Sequence, residues 1–244
     1  MLMPVIRNLI IAGMLIASGD ALSRGKKNLA PPRVFDDKES LTFTKELDFY
    51  HIQGAQDVNG NHIGDNTLYA NMTLDYAMGN GWDFQLMSLN IPYAGGGAQN
   101  YNADTYINIS KTVSISSKWK GVLGTQNGTV FSGKSEWHNA DYGMFIYQPT
   151  DAFNFHAGSY FVDKTLATTT NTVGYTGGFA YHTPTFGVEA DYFSGHNNLS
   201  GANINFFYGD YYMGLIVPGR DSGNEFAGTI GMRKDLSSLL KYFK

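Results

Sequence analysis

A chain of 244 residues with 14% aromatic residues, 16% charged residues and 29 glycines fits a single all-β unit, because all-β folds of this length commonly form one domain and helices disfavour glycine. A net charge of −4 with scattered Lys and Arg excludes the clustered basic surface that phosphate backbones need, so no nucleic-acid partner is expected. The absence of cysteine excludes disulfides, thiolate catalysis and Cys-based zinc sites, which leaves packing and backbone pairing as the sources of stability.

In chain order, the first element is an export signal. Arg7 supplies the positive n-region, Leu9 to Ala17 the apolar stretch, and Ser18, Gly19 and Ala21 the small residues of a cleavage site after Ala21. The apolar stretch is shorter than the ~20 residues of a bilayer-spanning helix. Residues 1–21 are therefore expected to be a signal peptide and residues 22–40, with Pro31 and Pro32 among mixed charges, an N-terminal leader outside the folded core. No later segment is apolar for long enough to be a membrane helix, so a mature chain that lives in a membrane must do so as a closed barrel spanning residues 41–244.

From Leu41 onward the chain divides into about twelve segments of roughly ten residues, each with alternating polarity and bounded by turn residues. The clearest runs from Thr67 to Met78: Leu68, Ala70, Met72, Leu74, Tyr76 and Met78 form one face, and Thr67, Tyr69, Asn71, Thr73, Asp75 and Ala77 the other. A soluble sandwich also alternates, with the apolar face inward. Two further features favour a membrane barrel. Tyr76, Trp82, Trp119, Trp137, Tyr147, Phe153, Tyr181, Phe186, Tyr208 and Tyr211 stand beside turns, where a bilayer interface holds amphipathic rings. Connections also alternate in length, with short turns near 79–81, 117–118, 149–151, 183–185 and 209–210 falling between longer polar loops. Short turns at one rim and long loops at the other characterise outer-membrane barrels.

On these residues, 41 to about 234, the chain resembles the Gram-negative outer-membrane β-barrel class, and Ala190 to Gly219 looks like the late hairpins of small porin-like transport barrels. The resemblance implies a transmembrane antiparallel up-and-down β-barrel of about 12 strands in the outer membrane, touching lipid and lipopolysaccharide and passing small solutes. One departure is the end of the chain: the last strand reads as Phe226 to Arg233, yet a tail follows and Phe243 is penultimate.

If apolar faces meet lipid, the opposite parity lines the lumen. The expected lining is Glu46, Asp48, Asn71, Asp75, Asn108, Asp141, Glu189, Asp191, Asn203, Asn205, Glu225 and Arg233, joined by Asp83 and by the rings of Tyr50, Tyr69, Tyr106, Phe145, Tyr160 and Phe193. Such a lining is more acidic than basic and favours cations and polar neutral solutes. In the sixth segment this places Asn139, Asp141 and Gly143 inward and Ala140, Tyr142, Met144 and Ile146 outward. Lys111 falls on the lipid parity of its strand, where a cation costs ~2–4 kcal/mol near mid-bilayer, so either a β-bulge re-aims it or the register read for that strand is wrong.

No enzyme motif is legible. The six histidines, 51, 62, 138, 156, 182 and 196, lack zinc-protease spacing, and no metal or cofactor is expected, although His62 or His196 are the loop positions a metal would have to use. A barrel hydrolase would need its groups assembled from several strands, with Asp141 or Asp191 near His138 or His196 as the rim set to look for. The reading is a non-enzymatic channel for passive or weakly selective diffusion of small polar or amphipathic solutes. The alternatives are a structural or adhesive barrel with a filled lumen, a barrel hydrolase, and at fold level a secreted sandwich. The oligomeric state stays open.

Overall fold

A computed structural model describes residues 39–50, 67–94, 104–130, 136–163, 172–196, 200–219 and 226–242. The expected signal peptide, most of the leader, Glu225, His51, His62 and Phe243 lie outside these residues. Twelve strands follow one another: β1 Glu39–Tyr50, β2 Thr67–Gly79, β3 Trp82–Ala94, β4 Asp104–Ser114, β5 Trp119–Val130 and β6 Glu136–Thr150. They continue as β7 Phe153–Val162, β8 Val173–His182, β9 Phe186–Phe193, β10 Gly201–Tyr208, β11 Tyr211–Pro218 and β12 Ala227–Asp235. Each pairs antiparallel with its neighbours in sequence, and β1 pairs with β12 from Thr42↔Asp235 to Tyr50↔Ala227, closing the barrel.

The connections at one rim are residues 80–81, 115–118, 151–152, 183–185 and 209–210. The tightest is the β2–β3 hairpin, where Asn80 (φ 52°) and Gly81 (φ 76°) take the left-handed conformation that the twist of a two-residue hairpin demands. Asn and Gly are the residues that adopt it at least cost. β1 begins at Glu39, two residues before Leu41, and β12 ends at Asp235, two residues past Arg233. The tail beyond forms a short 3-10 helix, Ser237–Tyr242, held against β1 by hydrogen bonds from Leu236 N to Leu41 O and from Leu41 N to Ser237 Oγ. Leu41 and Leu240 are both buried there.

The outer wall is apolar. Exposed side chains include Ile107, Leu123, Phe145, Val173, Met213, Leu215 and Ile230, with Trp82, Trp119, Phe155, Phe186, Tyr208 and Tyr211 toward the short-turn rim and Trp137, Phe161, Tyr175 and Tyr192 toward the other. Carboxylates and amides instead fill the inner face: Glu46, Asp48, Asn71, Asp75, Asp83, Asn108, Glu189, Asp191 and Asn205 are all buried. This reverses the sandwich arrangement, in which the polar face meets water. A closed barrel with lipophilic rings outside and charge inside is a transmembrane antiparallel up-and-down β-barrel.

The hairpin supplies a test. A Cβ on Gly81 would lie 2.2 Å from the Thr112 carbonyl oxygen, at a φ that other residues adopt under strain. Gly81→Ala is expected to destabilise the folded barrel by roughly 1–3 kcal/mol, read as a lower urea midpoint in lipid vesicles, whereas Asn80→Gly leaves the midpoint close to wild type.

Candidate functional site

Strand parity positions the lumen residues. On β1, even positions face inward, so Glu46 and Asp48 share the interior with Asn71 and Asp75 of β2. A single amide holds the first two together: Asn71 Nδ2 donates to Glu46 Oε1 at 3.0 Å and to Asp48 Oδ2 at 2.6 Å. The second oxygen of Glu46 accepts from the Tyr212 hydroxyl of β11 at 2.7 Å, reaching over β12. A second chain of bonds runs around the wall from the acids of β2 and β3. Gln85 Nε2 donates to Asp75 at 3.2 Å and Asp83 at 3.4 Å, Asn108 Nδ2 donates to Gln85 Oε1 at 3.1 Å, and the Tyr142 hydroxyl donates to Asn108 Oδ1 at 3.1 Å. Amides and hydroxyls thus share the cost of placing these carboxylates away from bulk water.

The acids of β9 have their described partners on β7, β8 and β12. Asp191 lies 2.9 Å from His156 Nε2, and Asn203 Oδ1 accepts from the Asp191 backbone N–H at 3.1 Å. Glu189 Oε1 lies 2.8 Å from His182 Nε2 and 3.4 Å from Arg233 Nη1, the latter three strands away on β12. The guanidinium sits 4.8 Å from the Phe207 ring, which packs against Tyr212.

The inner face of β3–β7 also carries an apolar cluster, among buried polar side chains such as Asn108, Gln126 and Asn154. Met87, Leu89, Tyr106, Val122, Ala140, Tyr142, Met144, Ile146, Tyr160 and Val162 form one buried cluster with Phe193 of β9. Four inward tyrosines each face a glycine of the neighbouring strand: Tyr106↔Gly128, Tyr142↔Gly124, Tyr160↔Gly174 and Tyr212↔Gly231. A Cβ on any of these glycines would come within 2.4 Å of the ring. The missing side chain lets the ring lie along the wall instead of projecting across the lumen.

Of the expected lining residues, Glu46, Asp48, Asn71, Asp75, Asn108, Glu189, Asp191, Asn203 and Asn205 sit on the inner face and are buried, and Arg233 reaches them from β12. Glu225 lies outside the described residues. Asp141 is a correction. It is exposed on the outer wall, as is Phe145, because β6 presents Ala140, Tyr142, Met144 and Ile146 inward to the apolar cluster. There Asn139 Nδ2 donates to Thr125, Asn127 and Asp141 in a polar patch on the outside of β5 and β6.

The expected bulge at Lys111 is also corrected. The β3–β4 register is unbroken and pairs Lys111 with Trp82, so the stagger of the strands carries the ammonium to the short-turn rim. It donates there to the Asn80 carbonyl and stands 5.1 Å from the Trp82 ring centroid. Of the groups a rim acid–base set would draw on, Asp191 stands 2.9 Å from His156 and Asp141 is on the outer wall.

Sequence reading missed His156 and His182. The first pairing joins residues 35 apart in the chain, which no motif spacing reveals. The second has a local signal: across the 183–185 turn, His182↔Gly187 and Ala180↔Glu189 are register pairs, which makes His182 and Glu189 diagonal neighbours on one face.

No protein-family model and no curated protein matches the chain. Among solved structures, a triple mutant of Rhodopseudomonas blastica porin is similar over 82% of this chain and 100% of its own, at 12% identity and a TM-score of 0.38. A structure described as "Asymmetric conductivity of engineered proteins" is similar over the same shares, at 11% identity and a TM-score of 0.39.

The outward carboxylate generates a prediction. Outward positions on β6 run from Trp137 to Tyr147, a rise of ~25 Å for a strand tilted near 40°, so Asp141 stands ~10 Å below Trp137 within the apolar band. Asp141→Leu is expected to stabilise the barrel by about 1 kcal/mol in phosphatidylcholine vesicles, less than the cost of a basic residue at that depth. Urea titration of both proteins measures it.

Proposed function

We propose that the chain is a channel in the outer membrane of a Gram-negative bacterium, passing small polar or amphipathic solutes by passive or weakly selective diffusion. The observation that carries the reading is the inversion of polarity across one closed sheet: lipophilic side chains outside, and carboxylates, amides and histidines inside. An interior that served only to hold the barrel together would be served better by apolar packing, since buried charge contributes little net stability. Lipid and lipopolysaccharide would contact the outer wall, and the export signal expected in residues 1–21 accords with that destination.

The lumen has two chemistries. β1–β3 and β8–β12 bring acids, amides and hydroxyls, and β3–β7 bring the apolar cluster with its wall-lying tyrosines. A solute with one polar and one apolar side could keep hydrogen bonds to the first and contact with the second. The described carboxylates on the inner face, Glu46, Asp48, Asp75, Asp83, Glu189 and Asp191, outweigh the described arginine there, so cations and neutral polar solutes are favoured over anions.

A barrel with a filled lumen is the second reading, favoured by the burial of Asp48 and Asp75, each only 2% exposed. A hydrolase would need a nucleophile beside its histidine. Among the described residues the Nδ1 of His156 has no hydrogen-bond partner to serve that role.

Planar-bilayer recording of the refolded full barrel under a salt gradient tests the proposal. Small, cation-preferring steps are expected. Their preference should fall when Asp75 and Asp83 are changed to Asn, and should be unaffected by Asp141→Asn on the outer wall. A folded, inserted barrel that stays silent would overturn the channel reading in favour of the filled one.

A further inference from the structure

Outward-facing charge near the short-turn rim is locally partnered. Glu39 accepts from the Tyr76 hydroxyl, Lys234 pairs with Asp210 at 2.6 Å, and Lys111 reaches the Asn80 carbonyl. Lys45 and Asp141 are different. Lys45 is exposed at the middle of β1, between Phe43 and Leu47 along the strand and between its register partners Met72 and Met232. Among the described residues it has no carboxylate partner. Asp141 is exposed between its register partners Thr125 and Phe161 and accepts from Asn139 Nδ2 at 3.3 Å, a neutral donor that leaves its charge uncompensated.

The two opposite charges stand at similar depths. Leu41 and Asp141 lie on one hydrogen-bonded row through Tyr76, Phe84, Ile109 and Thr125, each the register partner of the next. Strands ~4.8 Å apart and tilted near 40° raise such a row by ~3 Å per strand, so Asp141 stands ~15 Å above the level of Leu41. Lys45, four residues along β1 from Leu41, stands ~10 Å above that level. The remaining ~5 Å is within reach of a lysine stem. The row through Lys45 itself runs from Tyr211 at the short-turn rim, by way of Met232, to Trp137 at the other, so this cation also lies between the two aromatic levels. Uncompensated charge is costly there.

β1 and β6 are five strands apart in a ring of twelve, which sets Lys45 and Asp141 ~150° apart around the wall. One barrel cannot pair them with each other. A lipid headgroup would answer Lys45 and leave Asp141 exposed, whereas a second copy in the same membrane answers both. The two flanks also differ in relief. Beside Asp141 the outward face toward β7 is low, with Gly143, Ser159 and Ala157, and beside Lys45 it is raised by Leu47, Phe49, Met72 and Met232. In lipid, small residues let neighbouring backbones approach and polar side chains fix the pairing.

We propose that copies of this chain pack side by side in the membrane, with Lys45 of one barrel paired to Asp141 of the next. At ~150° the contact does not close on itself, so copies line up in short rows instead of forming a symmetric pair. The association does not depend on whether the lumen conducts.

The chain has no cysteine, so single thiols can be placed at will. Copies of the refolded full barrel labelled through Thr185→Cys, in the exposed 183–185 turn, report association in phosphatidylcholine vesicles by energy transfer as protein density rises. Lys45→Leu and Asp141→Leu are each expected to lower the apparent association constant at least tenfold, with circular dichroism establishing that both fold. The stability gain of Asp141→Leu belongs to the dispersed barrel. If either leucine variant does not fold, Lys45→Met or Asp141→Asn replaces it, with a loss in the same direction. Leu47→Cys and Phe161→Cys, mixed and oxidised, are expected to form disulfide-linked dimers that neither forms alone. Absence of association, association indifferent to both neutralised charges, or single thiol variants that cross-link to themselves as well as the mixture does would overturn the proposal. So would an association that an equimolar share of phosphatidylglycerol abolishes, because Lys45 would then belong to lipid headgroups.

Discussion

Everything else in this molecule depends on the seam where β1 meets β12. Eleven hairpin and loop-linked pairings would still leave two open strand edges, and in hydrocarbon an unpaired N–H or C=O costs several kcal/mol. The register from Thr42↔Asp235 to Tyr50↔Ala227 removes both edges at once. The 3-10 helix beyond Asp235 then reinforces the seam from outside, with Leu236 and Ser237 bonded to the first turn of sheet at Leu41. Closure also creates an inside, and so permits a lumen.

With the backbone satisfied, side chains are free to sort by solvent. Leu123, Phe145, Val173 and Leu215 stand exposed on the outside, with aromatic rings toward both rims. Carboxylates cannot follow them at low cost, so most are held inside by amides and hydroxyls, or, for Glu189 and Asp191, by His156, His182 and Arg233. The inside is nevertheless not uniformly polar. A sheet bent into a barrel of this size must accommodate large side chains on its concave face, and the pairing of Tyr106, Tyr142, Tyr160 and Tyr212 with glycines lays them along the wall.

Asp141 and Lys111 show how charge on the outer parity is handled in two ways. Lys111 is carried by strand stagger to the rim, where a backbone carbonyl and the Trp82 ring receive it. Asp141 stays within the apolar band and shares hydrogen bonds with Asn139, which in turn bonds Thr125 and Asn127. A patch of neutral donors softens the cost of one carboxylate facing lipid without removing it.

Much of this was legible in one dimension. Alternation of period two is a property of each strand alone, so twelve strands, the short turns and the inward parity of Glu46, Asp48, Asn71, Asp75, Asn108, Glu189 and Asp191 could be read from local pattern and turn chemistry. The same rule reversed β6, because it equates apolar with outward, and the inner wall there is itself apolar: Ala140, Tyr142, Met144 and Ile146 face Tyr106, Val122 and Tyr160 across the lumen side. Register between strands was beyond local reading, since it is set jointly by turn geometry, stagger and closure. The tertiary structure alone therefore decided that His156 meets Asp191, that Arg233 reaches Glu189 over two intervening strands, and that Asp48, Thr229, Asn205 and Glu189 fall on one row. The sequence by itself determined the class of fold and the sides of most strands, for these follow from each residue's own neighbours; which side chains share a site depended on pairings between residues far apart in the chain.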